Sequence, residues 1–229
     1  MITYSIRARA LATCLSALAG YVDAVGFVHL GGFFVSFMSG NSTRLGVGLV
    51  HGPSDGAIAA GLIATFVSGV ILGSLTGHLA GVRRRPAVVA LVAGLLASAA
   101  GFGAAGEPVL AAIAMALAMG AENAVFEMEG QVHIGLTYMT GTLVKLGQGI
   151  TAALLGGDRF GWMPYLFLWL GLAAGGLAGA VTYSVLDIGA LWIAAGVAAV
   201  LAVAAGTIDP DRLGSVPNRG SASQRGSDC

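Results

Sequence analysis

Six apolar stretches, each close to the ~20 residues an α-helix needs to cross a bilayer's hydrocarbon core, dominate this chain. They occupy 11–30, 57–81, 86–105, 109–128, 162–186 and 188–206. A backbone in lipid must satisfy its own hydrogen bonds, so stretches of this length fold as helices. Composition agrees: of 229 residues, 56% are hydrophobic and 10% charged, with a mean hydropathy of +0.85. Soluble domains carry about a quarter charged residues. Thirty-seven glycines, with little proline and no collagen period, point to closely packed membrane helices. Zero net charge leaves no electrostatic footprint for nucleic acid. Cys14 and Cys229 lie in the first stretch and at the last residue, where neither a bridge nor a metal-ligand spacing results. The expected fold class is all-α, a polytopic membrane protein in contact with the lipid bilayer.

Arg7 and Arg9, an apolar run from Leu11 to Val22 and Ala17-Leu18-Ala19 imitate a secretion signal with a cleavage site. However, GYVDA at 20–24 has a counterpart in GAENA at 120–124. The first stretch therefore belongs to a repeated architecture and is expected to stay attached. The repeat is clearest in two segments of intermediate polarity, 31–50 and 131–150. FMSGNSTRLGVGL at 37–49 is echoed by YMTGTLVKLGQGI at 138–150. Met38-Ser39-Gly40 matches Met139-Thr140-Gly141, and Arg44-Leu45-Gly46 matches Lys145-Leu146-Gly147, at an offset of 101. Gly69, Gly73 and Gly77 match Gly171, Gly175 and Gly179 at an offset of 102, as does 92–100 with 194–202. The chain then reads as one transmembrane domain, 1–206, of two homologous halves, about 8–105 and 108–206. A Ser-, Gly- and charge-rich tail, 207–229, is expected to be disordered and cytoplasmic.

Orientation follows from the positive-inside bias. Arg7 and Arg9 precede the first span, and Arg83-Arg84-Arg85 follow the second. Both should be cytoplasmic, so an even number of crossings separates them. The segment 31–50 then cannot cross as well, and must re-enter, lie along the surface or continue a broken helix. The same count puts HGPSDG at 51–56 and Glu107 outside. Asp158-Arg159 and the tail, with Arg212, Arg219 and Arg225, fall inside. Three crossings per half insert the second half upside down relative to the first. Secondary transporters are often built from such inverted repeats, with discontinuous helices forming the site near the midplane.

GYVDAVGF, FMSGNSTRLG, MGAENA and TYMTGTLVKLGQG resemble the YoaK-like family of bacterial membrane proteins. That is a family of unknown function with six predicted spans, and the resemblance covers residues 11–206. It implies a bacterial inner-membrane protein, and it carries over no substrate, cofactor or catalytic residue. The two motifs differ where Gly40-Asn41 faces Gly141-Thr142, an amide against a hydroxyl.

Polar groups at membrane depth cost ~2.5–3.5 kcal/mol for a central charge, so each invites a functional reading. Asp23 lies about midway along the first stretch, with Glu122 and Asn123 at the corresponding place in the fourth. Arg44 and Lys145 follow at 21 and 23 residues beyond Asp23 and Glu122. Ion pairs Asp23–Arg44 and Glu122–Lys145 would neutralise all four. They could serve the fold alone, or let the carboxyls take up protons while the bases hold an anion. Ser39, Asn41, Ser42, Thr140 and Thr142 are N-cap types, which places helix starts and free N–H groups beside the basic residues. The candidate binding set is Asp23, Ser39, Asn41, Arg44, Glu122, Asn123, Thr140, Thr142 and Lys145.

The glycine stripes predict close helix packing, of the second span on the fifth across the pseudo-axis, with a homodimer face as the alternative. His29 and His78 could tune a proton path, although a lone intramembrane histidine is more often just hydrogen-bonded. Glu127, Glu129 and His133 lack the third ligand at helical spacing that zinc would need. No hydrolase, kinase or phosphate-loop motif occurs. The expected function is a small secondary transporter or channel for a small anionic or polar solute, with protons as coupling ion and no cofactor. The alternatives are a membrane scaffold or regulator, and an intramembrane enzyme using Ser39 or Thr140.

Overall fold

A computed structural model describes residues 5–128, 131–132 and 136–207. Cys229 and the tail arginines lie outside the described residues, as do Glu129 and His133. Among the described residues eight α-helices follow one another: α1 Ile6–His29, α2 Met38–His51, α3 Pro53–Ala80, α4 Arg84–Ala104, α5 Pro108–Glu122, α6 Met139–Leu154, α7 Met163–Leu186 and α8 Ala190–Gly206. Single 3-10 turns at Gly81–Arg83, Asn123–Phe126 and Asp187–Gly189 extend or join them. A two-residue antiparallel pair, β1 Glu127–Met128 with β2 Gln131–Val132, interrupts an otherwise helical chain.

Four helical stretches are long and apolar enough to span a membrane: 6–29, 53–104, 108–126 and 163–206. The second and fourth have 52 and 44 residues, far more than the ~20 that one crossing needs. Each breaks into two helices at a residue of positive φ, Gly81 at 54° and Asp187 at 49°. The six apolar stretches of the sequence thus fall on α1, α3, α4, α5, α7 and α8, within these four spanning stretches. The motif segments become α2 and α6, of 14 and 16 residues. At 1.5 Å per residue they reach only about 21–24 Å, short of the ~30 Å core. They are half-helices, each entered through irregular chain.

Packing crosses between the halves. The first helix of each half lies along the third helix of the other, α1 on α7 and α5 on α3, while α4 packs on α8. The glycine stripes make these seams. A Cβ on Gly175 or Gly179 would strike the backbone of Ala17 or Tyr21, and one on Gly69 or Gly73 that of Leu117 or Ala121. The expected contact of second span with fifth is therefore replaced by two equivalent seams, second on fourth and fifth on first. The seams also correct the repeat register. Gly69 plays the part of Gly175, and the Gly81 turn that of Asp187, an offset of 106. A stripe with glycine every fourth residue matches itself after a slip of one turn, which is how 102 arose. The added residues are in the connection after α6, 155–162, against the single Gly52 after α2.

The core is built from α1, α4, α5 and α8, with Leu15, Val22, Leu96, Met115, Met119 and Leu191 fully buried. The outer faces of α3 and α7 stay apolar and exposed, with Leu79 at 85% and Val185 at 77%, as lipid-facing helices require.

Candidate functional site

Asp23 sits six residues from the end of α1, where the chain must turn back into α2. Its Oδ1 accepts the backbone N–H groups of Val35 and Ser36, both at 2.8 Å. The carboxyl group thus ties down the irregular stretch 30–37. Asn41, fully buried in the first turn of α2, reads the same stretch as a neighbouring strand would. Its Oδ1 accepts from the Phe34 N–H at 3.1 Å, and its Nδ2 donates to the Phe34 carbonyl at 2.6 Å. Arg44 donates to the Gly32 carbonyl and lies 4.0 Å over the Phe33 ring. Gly31 and Gly32 take φ of 65° and 98°, which lets the backbone present that carbonyl.

The second half repeats part of this arrangement. Asn123 Oδ1 accepts from the Thr137 hydroxyl at 3.1 Å, and its Nδ2 donates to Met119 O at 3.0 Å. Asn123 is therefore the partner of Asp23, each holding the chain 13 or 14 residues further on. Glu122 has no equivalent, since Val22 occupies its place in the first half. It is fully buried, and neither carboxyl oxygen has a hydrogen-bond partner among the described residues. Thr142 donates to Tyr138 O at 3.2 Å, and Lys145 is exposed.

The two expected ion pairs do not form. Asp23 takes backbone donors and Arg44 a backbone acceptor, because the irregular stretch between α1 and α2 has groups that no helix satisfies. The ion pair that does form among the described residues joins Arg84 to Glu127 at 3.1 Å, with Ser74 donating to the same carboxylate at 2.6 Å. N-capping also differs. The caps are Phe37 and Tyr138, neither with a side-chain bond, and Ser39 and Thr140 fall inside the first turn. Ser42 and Thr43 bond back to the Met38 and Ser39 carbonyls. Arg44 and Lys145 lie nearly two turns in, beyond the reach of the helix-terminal charge. His29 Nδ1 meets the Tyr183 hydroxyl at 3.1 Å, as a hydrogen-bonded histidine, and His78 is exposed.

The motifs nevertheless meet. A cavity of about 280 Å³ is lined by Ser36, Phe37, Met38, Ser39 and Gly141, by Thr137 to Thr140, and by Phe66. The starts of α2 and α6 thus face one space, level with the midpoint of α3. Of the expected set only Ser39 and Thr140 line it. Asp23 and Asn123 stand behind its wall, bonded to the lining residues Ser36 and Thr137. Ser36 and Thr137 are the residues that sequence reasoning missed. The signal was one position upstream of the aligned motif, where SFMSGN faces TYMTGT with a hydroxyl residue at the head of each. The lining has hydroxyl, aromatic and methionine groups and no charge.

The family described as "Protein of unknown function (DUF1275)" matches residues 11–204. The chain is also 39% identical over 197 residues to a protein of Rhizobium meliloti (strain 1021) named as a UPF0700 transmembrane protein, covering 86% of this chain and 85% of that one. No solved structure matches. A match over most of both chains, with the helices just described, makes this protein a membrane-embedded member of the DUF1275 family.

Proposed function

We propose that the protein is a small secondary transporter or channel that moves a small polar or anionic solute through the cavity between α2 and α6. The observation that carries this reading is the convergence of two matching half-helix starts on one hydroxyl-lined space midway along α3. The solute would be held by the hydroxyls of Ser36, Ser39, Thr137 and Thr140. N–H groups at uncapped helix starts would favour its negative or dipolar end. Arg44 and Lys145 do not line the cavity, so their part is to hold the hairpin and face the surface. Inverted halves, with both termini cytoplasmic in a bacterial inner membrane, fit the charge bias and the reciprocal helix pairing. Glu122 is the proton-coupling candidate, being a buried acid without a partner among the described residues. Asp23 is committed to the loop.

A scaffold reading has one observation in its favour: Asp23, Asn41, Arg44 and Asn123 all bond within the protein. An enzyme is the poorest fit, because among the described residues neither Ser39 nor Thr140 is hydrogen-bonded to a histidine or carboxylate that could activate it. The test is a thermal-shift screen of detergent-purified protein against small anions and neutral polar metabolites, beside a Ser39→Ala, Thr140→Ala double variant. A solute at about 100 times its Kd should stabilise the wild type by ~2.7 kcal/mol and the variant far less. A full screen without a shift, or equal shifts in both proteins, would turn the assignment to the scaffold.

A further inference from the structure

A second hollow shares no lining residue with the cavity. The first turns of α1 and the start of α7 enclose an open groove of about 540 Å³, with walls from Ile6, Thr13, Phe160, Met163 and Phe167. Among the described residues its one charged lining residue is Arg9. Along α1 the groove runs from Ile6 to Cys14, about 12 Å at 1.5 Å per residue. Of this, about 8 Å lies between Arg9 and Cys14, roughly half of a single leaflet's ~15 Å of hydrocarbon. Thr13 spends its hydroxyl on the Arg9 carbonyl at 3.1 Å, so the walls below Arg9 offer nothing polar to a guest. The Arg9 guanidinium is half-buried and meets no acceptor among the described residues. The nearest acid in sequence on the facing side, Asp158, turns Oδ1 to the Phe160 N–H at 3.0 Å.

We propose that this groove binds one anionic phospholipid, its phosphate on Arg9 and an acyl chain along the apolar walls. An apolar trough about half a leaflet deep below a half-buried cation suits the phosphate and upper acyl chain of such a lipid. Water alone would leave the trough wetted, and a zwitterionic lipid would bring a second cation to Arg9. The site does not depend on the transport reading.

The experiment is native mass spectrometry of the full chain in detergent, supplied with equal amounts of phosphatidylglycerol and phosphatidylcholine of identical acyl chains. Wild type should retain the anionic lipid about fivefold or more over the other. Arg9→Gln should bring the ratio to about one, while Arg9→Lys keeps most of the preference. Ala10→Trp, which fills the groove and keeps every charge, should also lose it. Arg83→Gln, on the exposed α3–α4 turn, should leave the preference intact. Equal retention by wild type, a preference that survives Arg9→Gln, or one lost only in Arg83→Gln would overturn the proposal.

Discussion

The two half-helix hairpins start from nearly the same sequence and are fastened very differently. In the first, three side chains on two helices grip residues 32–36: Asp23 by two amides, Asn41 by both polar groups of Phe34, and Arg44 by Gly32. In the second, among the described residues, Thr137 bonds to Asn123 and Ser16 of α1 donates to the Leu136 carbonyl at 3.4 Å. The first hairpin also turns into α3 through one glycine, with Gly48 against the backbone of Gly56. The second reaches α7 through 155–162. The matching places differ in what they can bond with: Asp against Asn, Asn against Thr and Arg against Lys.

The contrast breaks most sharply at its strongest tie. Asp23→Ala leaves two buried N–H groups without an acceptor and should cost ~2–4 kcal/mol. Asn123→Ala should cost ~1 kcal/mol, both read by thermal unfolding in the same detergent. Equal losses would end the distinction between the hairpins. Next comes Asn41→Ala, at ~2 kcal/mol for two buried backbone bonds, against ~0.5 kcal/mol or less for Thr142→Ala. Glu122→Val would make the second half match the first at Val22. Removing a buried acid that has no partner among the described residues should raise stability by ~1–2 kcal/mol, and solute uptake into proteoliposomes should lose its dependence on a proton gradient. A variant less stable than wild type would mean that the carboxyl group is held after all. The smallest effect belongs to the paired turns. Asp187 holds φ 49° where Gly81 holds 54°. Asp187→Gly should gain ~1 kcal/mol and Gly81→Asp lose about as much, compared by melting temperature.

Hydropathy alone located every spanning helix to within a few residues, because the bilayer's thickness fixes the length that a sequence must supply. The motif echo likewise found the cavity, through Ser39 and Thr140. What hydropathy and charge could not supply were the partners of Asp23 and Arg44. Their ligands are an amide and a carbonyl of irregular chain, which every residue type carries, so no letter marks them. Pairing a buried acid with a distant base is the natural guess, and Asp23 shows why it fails beside irregular backbone. Glu122 and Asn123 both lie near the place of Asp23, and charge alone favours Glu122 as its counterpart. The echo of GYVDA in GAENA sets Asp23 against Asn123, and the bonding follows that alignment.

The exchange of helices between halves also has a consequence in time. The glycine face of α7 that α1 requires is not completed until Leu186, more than 150 residues after α1 ends. At ~5–20 residues per second, α1 waits on the order of 10–30 s in the membrane with Gly20 and Ala17 uncovered. Neither half can close its own seam, so each is an obligate template for the other. A gene cut between α4 and α5 should yield two fragments that are degraded when made singly and preserved when made together.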